Sequence, residues 1–533
     1  MPAVLCESMK SVSDSLSRWA ENRRRWLAIG AVMLAALLPL PLLGRSLGID
    51  ETASVWFARF LLPDLLIRLC DPHPPGYYLF LKGWMALGEV EAWLRLPSLL
   101  AGVLAVVLTY GLGRRLLGSL AGGVAALLLA TFPLQTWYTA EARMYALTQM
   151  LGVAMVWAIW RVIYDGGRKI EEDRTTPSIA HGPSHGSPVT FRASRLNLFL
   201  AWVVGAAALM VDTSALLPFA LLQLIWLARG RPAPRRWLLL QTAILVPMVL
   251  YWLASPIRNA LGQGYQAVFL ATMANRIGIS LDPTGARTAL VAVAVVAAAS
   301  AAALALAWQQ WAHRGSAPAW IVPATVVAWM LFLLIAAIPR LFTVKRLLVP
   351  LFPYAALAAG WALARSRVQV WAFMVTVGLM LALLVTPGHA REPWREVAAR
   401  LTGPGTVVWV DEIDAPAFDY YARRVIGAGG TAPVWAPLYG RAFPALPTLV
   451  PPKGGSLWVL TADSPYRDLH ALLPAAFRRE YALVETAQEA GISVRRFIRR
   501  LEPVTDAPNL PELGAVTWWG LMLPSPLDRC ECR

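Results

Sequence analysis

The chain has 533 residues, 57% hydrophobic and only 15% charged, whereas a soluble protein of this size carries about 25% charged residues. That balance excludes a water-soluble globule and points to lipid as the solvent. The net charge of +16 sits in short connectors such as Arg23-Arg24-Arg25, Arg114-Arg115 and Arg229 to Arg236, the placement of loops beside anionic lipid and not of a nucleic-acid surface. The four cysteines (Cys6, Cys70, Cys530 and Cys532) suggest no disulfide framework, and the terminal C-x-C is a weak metal signal.

A hydrocarbon core about 30 Å thick takes roughly 20 residues of apolar helix. After a cytoplasmic segment 1–25, that measure predicts about eleven spans: 26–43, 94–111, 119–135, 145–161, 196–211, 214–230, 237–254, 288–308, 320–338, 347–364 and 368–386. The first resembles a signal peptide, but it lacks a small-residue cleavage site and many spans follow, so it reads as an uncleaved helix. The connectors 112–118, 162–195, 231–236, 309–319 and 365–367 all carry Arg or Lys and fall in the cytoplasm. The longest, 162–195, has the Gly/Pro/Ser-rich composition of an unstructured linker. An odd number of spans then leaves everything after about Pro387 outside. The expected location is the plasma (inner) membrane, multi-pass, with the N-terminus cytoplasmic.

Two expected external segments are longer than turns. In the first loop, 44–93, the pieces Trp56–Leu62 and Tyr77–Leu87 read as interfacial helices. The second, Ser255–Arg287, suits a loop over a cavity. From His389 the pattern becomes that of a small domain, over 387–500: helix at Trp394–Leu401, strand at Thr406–Val410, helix at Phe418–Arg424, strand at Leu457–Thr461 and helix at Arg467–Phe477. A Pro-rich tail, 501–533, follows. The expected fold class is an all-α polytopic membrane domain, 26–386, with a small C-terminal extracytoplasmic α/β domain.

Four constellations carry candidate chemistry. Asp50 and Glu51 are adjacent carboxylates just past the first span. They read either as a helix cap, with Asp50 as N-cap and Glu51 in the first turn, or as a general base for an acceptor hydroxyl. In Asp71-Pro72-His73-Pro74-Pro75-Gly76-Tyr77-Tyr78, three prolines deny a helix, so the turn is a stiff connector or a mount for His73. Around Tyr138-Thr139-Ala140-Glu141-Ala142-Arg143-Met144-Tyr145, a helix would place Glu141 and Tyr145 on one face and Arg143 on another; the alternative is an aromatic belt with a surface ion pair. Arg340, Lys345 and Arg346 fall on the side the positive-inside rule disfavours. They either snorkel or bind an anionic group such as phosphate. Gly111-Leu112-Gly113 lacks a βαβ context, and the sequence contains no P-loop, His/Glu metal pair or serine elbow.

Taken in order, these segments resemble the dolichyl-phosphate-mannose–protein mannosyltransferase superfamily (glycosyltransferase family 39 and relatives, with the GT-C membrane fold), including bacterial lipid A aminoarabinose transferases. The resemblance rests on Asp50-Glu51, His73-Pro74-Pro75-Gly76-Tyr77-Tyr78, Leu94-Arg95-Leu96-Pro97-Ser98 and Glu141-Ala142-Arg143-Met144-Tyr145. It continues in Lys345-Arg346-Leu347-Leu348-Val349-Pro350 and Glu392-Pro393-Trp394-Arg395-Glu396-Val397. It implies inverting transfer of a hexosyl or pentosyl group from a polyprenyl-phosphate carrier to a hydroxyl of a protein, glycolipid or polysaccharide, outside the cytoplasm. Asp50 would be the base, and Glu51 its helper or an acceptor contact. Arg143, Lys345 and Arg346 would face the carrier phosphate, and His73, Glu141 and Tyr145 would line the sugar site. No cofactor is implied, and a divalent cation is left open. Two departures stand out: Val211-Asp212-Thr213 replaces a His frequent in bacterial relatives, and Lys345-Arg346-Leu347 replaces a common Arg-Tyr. The competing readings are a secondary transporter or flippase and a non-catalytic scaffold or carbohydrate-binding partner.

Overall fold

A computed structural model describes residues 26–67, 73–174, 195–228, 234–254, 349–364, 393–401, 406–411, 414–427, 434–438, 449–462, 475–489 and 492–505. Among these, three helices are long and apolar enough to cross a membrane: Trp26–Leu43 (α1), Glu91–Leu117 (α5) and Trp237–Ala254, the apolar stretch of Pro234–Ala254 (α11). The span expected at 119–135 is broken. Ser119–Thr131 (α6) and Pro133–Thr139 (α7) meet at 65°, because Pro133 pushes Phe132 out of helical geometry, to φ −68° and ψ 123°.

Tyr145–Arg174 (α8) runs on past residue 161, into the stretch expected as a linker. Arg195–Val211 (α9), Leu216–Ala228 (α10) and Phe352–Leu363 (α12) overlap the spans expected at 196–211, 214–230 and 347–364, as shorter apolar helices of 17, 13 and 12 residues. The spans expected at 288–308, 320–338 and 368–386, the loop 255–287 and most of the tail lie outside the described residues. Small residues set the helix spacing: a Cβ on Gly113 would overlap the Gly122 backbone, and one on Gly360 would overlap the backbone of Ala121 and Ala125. Close approach of this kind is how membrane helices gain packing contact without a hydrophobic drive.

The first loop folds into Ile49–Ala58 (α2), Leu62–Ile67 (α3) and Gly76–Met85 (α4), so the first helix starts earlier than expected. Gly48, extended at φ −78° and ψ 169°, is the N-cap, and the Glu51 side chain reaches back to its N–H at 3.0 Å. The expectation of Asp50 as N-cap is therefore corrected. Glu51 supplies the capping carboxylate from the third helical position, and both acids lie in the first turn, where the helix dipole favours them.

Among the described residues of 393–505, five strands form one sheet: Val407–Asp411 (β1), Val434–Leu438 (β2), Ser456–Ala462 (β3), Tyr481–Glu489 (β4) and Ile492–Arg499 (β5). Its order is β2-β1-β3-β5-β4, with β1 parallel to β2 and β3, and β5 antiparallel to β3 and β4. Strand β1 is buried on both faces, and alternation divides its side chains. Val407 and Trp409 join a cluster with Leu457, Phe477 and Phe497. Val408 and Val410 face the helices Trp394–Arg400 (α13) and Ala415–Gly427 (α14), in the same core as the membrane helices. Strands β2, β4 and β5 were not expected from sequence. Pro437 interrupts the first, and charged residues break the alternation of the others. Of the helix expected at 467–477, only Ala475 onward is described, as Ala475–Glu480 (α15).

Candidate active site

The loop's architecture hangs on Arg95, which emerges from the first turns of α5. Glu51 and Arg95 are 2% and 0% exposed. Arg95 meets Glu51 through Nε–Oε1 at 2.8 Å and Nη2–Oε2 at 2.7 Å. Its remaining N–H groups donate to the carbonyls of Leu43, Arg45 and Ser46 at 2.7, 2.6 and 2.9 Å, so all five guanidinium donors have acceptors. Glu51 also accepts the Ala142 N–H at 2.8 Å and the Gly48 N–H at 3.0 Å. Two bonds on each oxygen fill the capacity of the carboxylate. Two charges removed from water survive only when matched this completely. The Glu51–Arg95 pair thus ties together the end of α1, α2, α5 and the 141–144 bend.

Asp50 stands one residue before this knot, on the partly exposed side of α2. Arg143 is buried and reaches the same turn: Nη1 donates to the Asp50 carbonyl at 3.1 Å and to the Ser54 hydroxyl at 2.8 Å. Its guanidinium also lies 5.8 Å from the centre of the Tyr145 ring, within cation–π range. Residues 141–144 are a bend and not a helix, with the Arg143 N–H bonded to the Glu141 carbonyl at 2.8 Å. This corrects the expected helical face shared by Glu141 and Tyr145, since α8 starts at Tyr145. Glu141 instead accepts the Trp137 indole N–H at 2.8 Å. Burial pushes the Tyr77 phenol far above its ordinary value, despite the nearby Arg143 charge.

His73 lies beside a residue noted above only as a departure. Its Nδ1 is 3.3 Å from Oδ1 of Asp212, a buried carboxylate that also accepts the Ser214 N–H at 3.1 Å and hydroxyl at 2.6 Å. Burial alone would raise this carboxyl, but the bonds from His73 and Ser214 outweigh it and hold Asp212 below its usual range. The His73 ring stands edge-on to Tyr145, 6.5 Å between centres, and Tyr138 meets Tyr145 at 5.1 Å. His73, Tyr145, Arg143 and the Asp50 turn therefore form one continuous neighbourhood. Lys345 and Arg346 lie outside the described residues. Among the described residues, no group of three or more His, Cys, Asp or Glu is placed to hold a metal ion.

Arg95, Ser54 and Asp212 also join this neighbourhood, and the sequence motifs did not single them out as site residues. A charge inside an apolar helix start and a carboxylate at the end of an apolar run were the available signals.

Apolar helices packed around a buried, charge-paired loop, with a small sheet beside it, define a multi-pass membrane protein. Residues 72–169 match the family model described as dolichyl-phosphate-mannose-protein mannosyltransferase. The chain is similar to ArnT from Cupriavidus metallidurans in the apo state: 14% identical, 90% of this chain and 98% of that one covered, TM-score 0.53. ArnT bound to undecaprenyl phosphate gives 14% identity, coverage of 88% and 97%, and a TM-score of 0.41. The Archaeoglobus fulgidus oligosaccharyltransferase in complex with Zn and sulfate gives 13%, 73% and 61%, and 0.43. No curated protein matches the sequence. The chain has the fold of ArnT, and the resemblance to the mannosyltransferase superfamily stands on the family match and this fold together.

Proposed function

We propose that the protein is a membrane glycosyltransferase. It moves a sugar from a polyprenyl-phosphate carrier to an acceptor hydroxyl at the extracytoplasmic face of the plasma membrane, inverting the anomeric centre. The donor class follows the name of the family matched over 72–169. The observation that carries the reading is the hold of Arg143 on the first turn of α2, at the Asp50 carbonyl and the Ser54 hydroxyl. That hold keeps a cation within one helical turn of a carboxylate that is not sealed in the core.

In this mechanism Asp50 accepts the proton of the acceptor hydroxyl as its oxygen attacks the anomeric carbon. The bond from that carbon to the phosphate oxygen breaks on the opposite side, and its electron pair leaves with the polyprenyl phosphate. Arg143, with Lys345 and Arg346, offsets the charge of the leaving phosphate, where fixed cations in a dry site count most. His73, Glu141 and Tyr145 face the sugar. Glu51 supports the reaction by holding the loop and touches no substrate.

The test uses membranes containing the protein or its Asp50→Asn variant, with undecaprenyl-phosphate donors carrying labelled mannose, an aminosugar or a pentose in turn. Asp50-dependent transfer of label to membrane protein, glycolipid or polysaccharide is expected. Label that crosses the membrane still attached to its carrier would mark a transporter and overturn the reading.

A further inference from the structure

The sheet unit grips the strip of chain that leads into α2. The Tyr421 hydroxyl accepts the Leu47 N–H at 2.6 Å, across 374 residues of sequence. Arg395 donates to the Gly44 carbonyl at 3.0 Å, and its backbone N–H reaches the Ser46 hydroxyl at 3.3 Å. The Glu91 carboxylate is clamped between Arg395 at 2.8 Å and Arg424 at 2.9 Å. Tyr420 and Arg424 both donate to the Glu89 carbonyl. Leu47, Val55 and Ala58 share one buried cluster with Trp394, Phe418 and Tyr421.

Arg95 holds the same strip from the membrane side, through the carbonyls of Leu43, Arg45 and Ser46. Residues 43–48 are thus pinned from two directions, and Asp50 follows two positions on. Left alone, a strip that includes Gly44 and Gly48 would have wide backbone freedom. A base must come within about 2.6–3.2 Å of its proton.

We infer that the sheet unit positions Asp50, with Tyr421, Arg395 and Arg424 as positioning residues for the proposed transfer, on which this inference rests. None of them touches substrate. Tyr421 removes the freedom of the strip at Leu47, and the Glu91 clamp anchors the unit to the start of α5. A displacement of about 1 Å at a reacting group costs on the order of a hundredfold in rate.

Two measurements on the full-length protein in detergent test this. The first compares Tyr421→Phe and Arg424→Gln with wild type, using whichever labelled undecaprenyl-phosphate donor supports Asp50-dependent transfer. The expected result is a fall of about ten- to a hundredfold in kcat with donor KM within twofold. Unchanged kcat overturns the inference whether or not KM rises, since a rise in KM alone would make the unit a substrate-capture device. The second needs no activity. In a background with the native cysteines replaced by Ser, Asp50→Cys carries a nitroxide label, and adding either substitution should sharpen its spectrum as the turn loosens. An unchanged spectrum in both overturns the inference. If the labels loosen but no donor gives Asp50-dependent transfer, the glycosyltransferase reading fails and the positioning contact stands.

Discussion

Arg95 and Glu51, 44 positions apart, face each other through two parallel hydrogen bonds of 2.8 and 2.7 Å at the base of the first loop. Neither group can leave without stranding the other in the core, where a broken buried pair costs about 3–5 kcal/mol. Glu51→Gln and Arg95→Lys should both lower the melting temperature of the detergent-solubilised protein and its yield in the membrane. Arg95→Lys keeps the charge but replaces a rigid fork with a point charge, so it too should be destabilised. A melting temperature equal to wild type for Arg95→Lys would show that the fork geometry is unimportant.

Asp50 should behave differently from its neighbour. The cap of α2 depends on Gly48 and Glu51, so Asp50→Asn forfeits only a first-turn charge worth about 0.3–1 kcal/mol. Transfer should nonetheless fall by about 10²–10⁴-fold, the usual contribution of a general base. Reading abundance, melting temperature and kcat on the same preparations separates the two neighbours: one variant folds and fails to react, the other fails to fold. Equal damage to stability by both would remove the distinction.

His73 and Asp212 should act as a unit. His73→Gln and Asp212→Asn each remove one side of a 3.3 Å contact, so the double variant should lose less than the sum of the singles. Contacting pairs commonly couple by about 0.5–3 kcal/mol, readable from kcat/KM. Strict additivity would mean that the contact has no energetic consequence.

Gly76 offers a steric route to the same place. A Cβ there would overlap the Met210 carbonyl, next to Val211 and Asp212. Gly76→Ala should push α4 away from the end of α9, with a cost of about 1–3 kcal/mol typical of overpacking. Its kinetic defect should match that of His73→Gln more than that of Asp50→Asn. A wild-type melting temperature and rate would mean that the two backbones separate freely.

Lipid solvation and the places of several apolar helices were legible in the amino-acid order. Apolar length and proline placement are local properties, and long runs such as 94–111 state them strongly. The helix at Trp394 and the strands at Val407 and Ser456 carried similar local signals. Strand β5 did not, because Arg495 and Arg496 disguise a strand whose pairing with β3 and β4 is non-local.

The sequence by itself also put Asp50 beside Glu51 without telling the two carboxylates apart. Tertiary structure divided their surroundings: Arg95 and the Ala142 N–H bind the buried Glu51, while Asp50, one position earlier in the same helix, stays partly exposed. It likewise made Asp212 a partner of His73, and set the helix carrying Tyr421 against the strip before Asp50. The reason is physical. Burial and hydrogen-bond partnership depend on which distant segments arrive, and neither adjacency nor periodicity in the chain encodes that arrival.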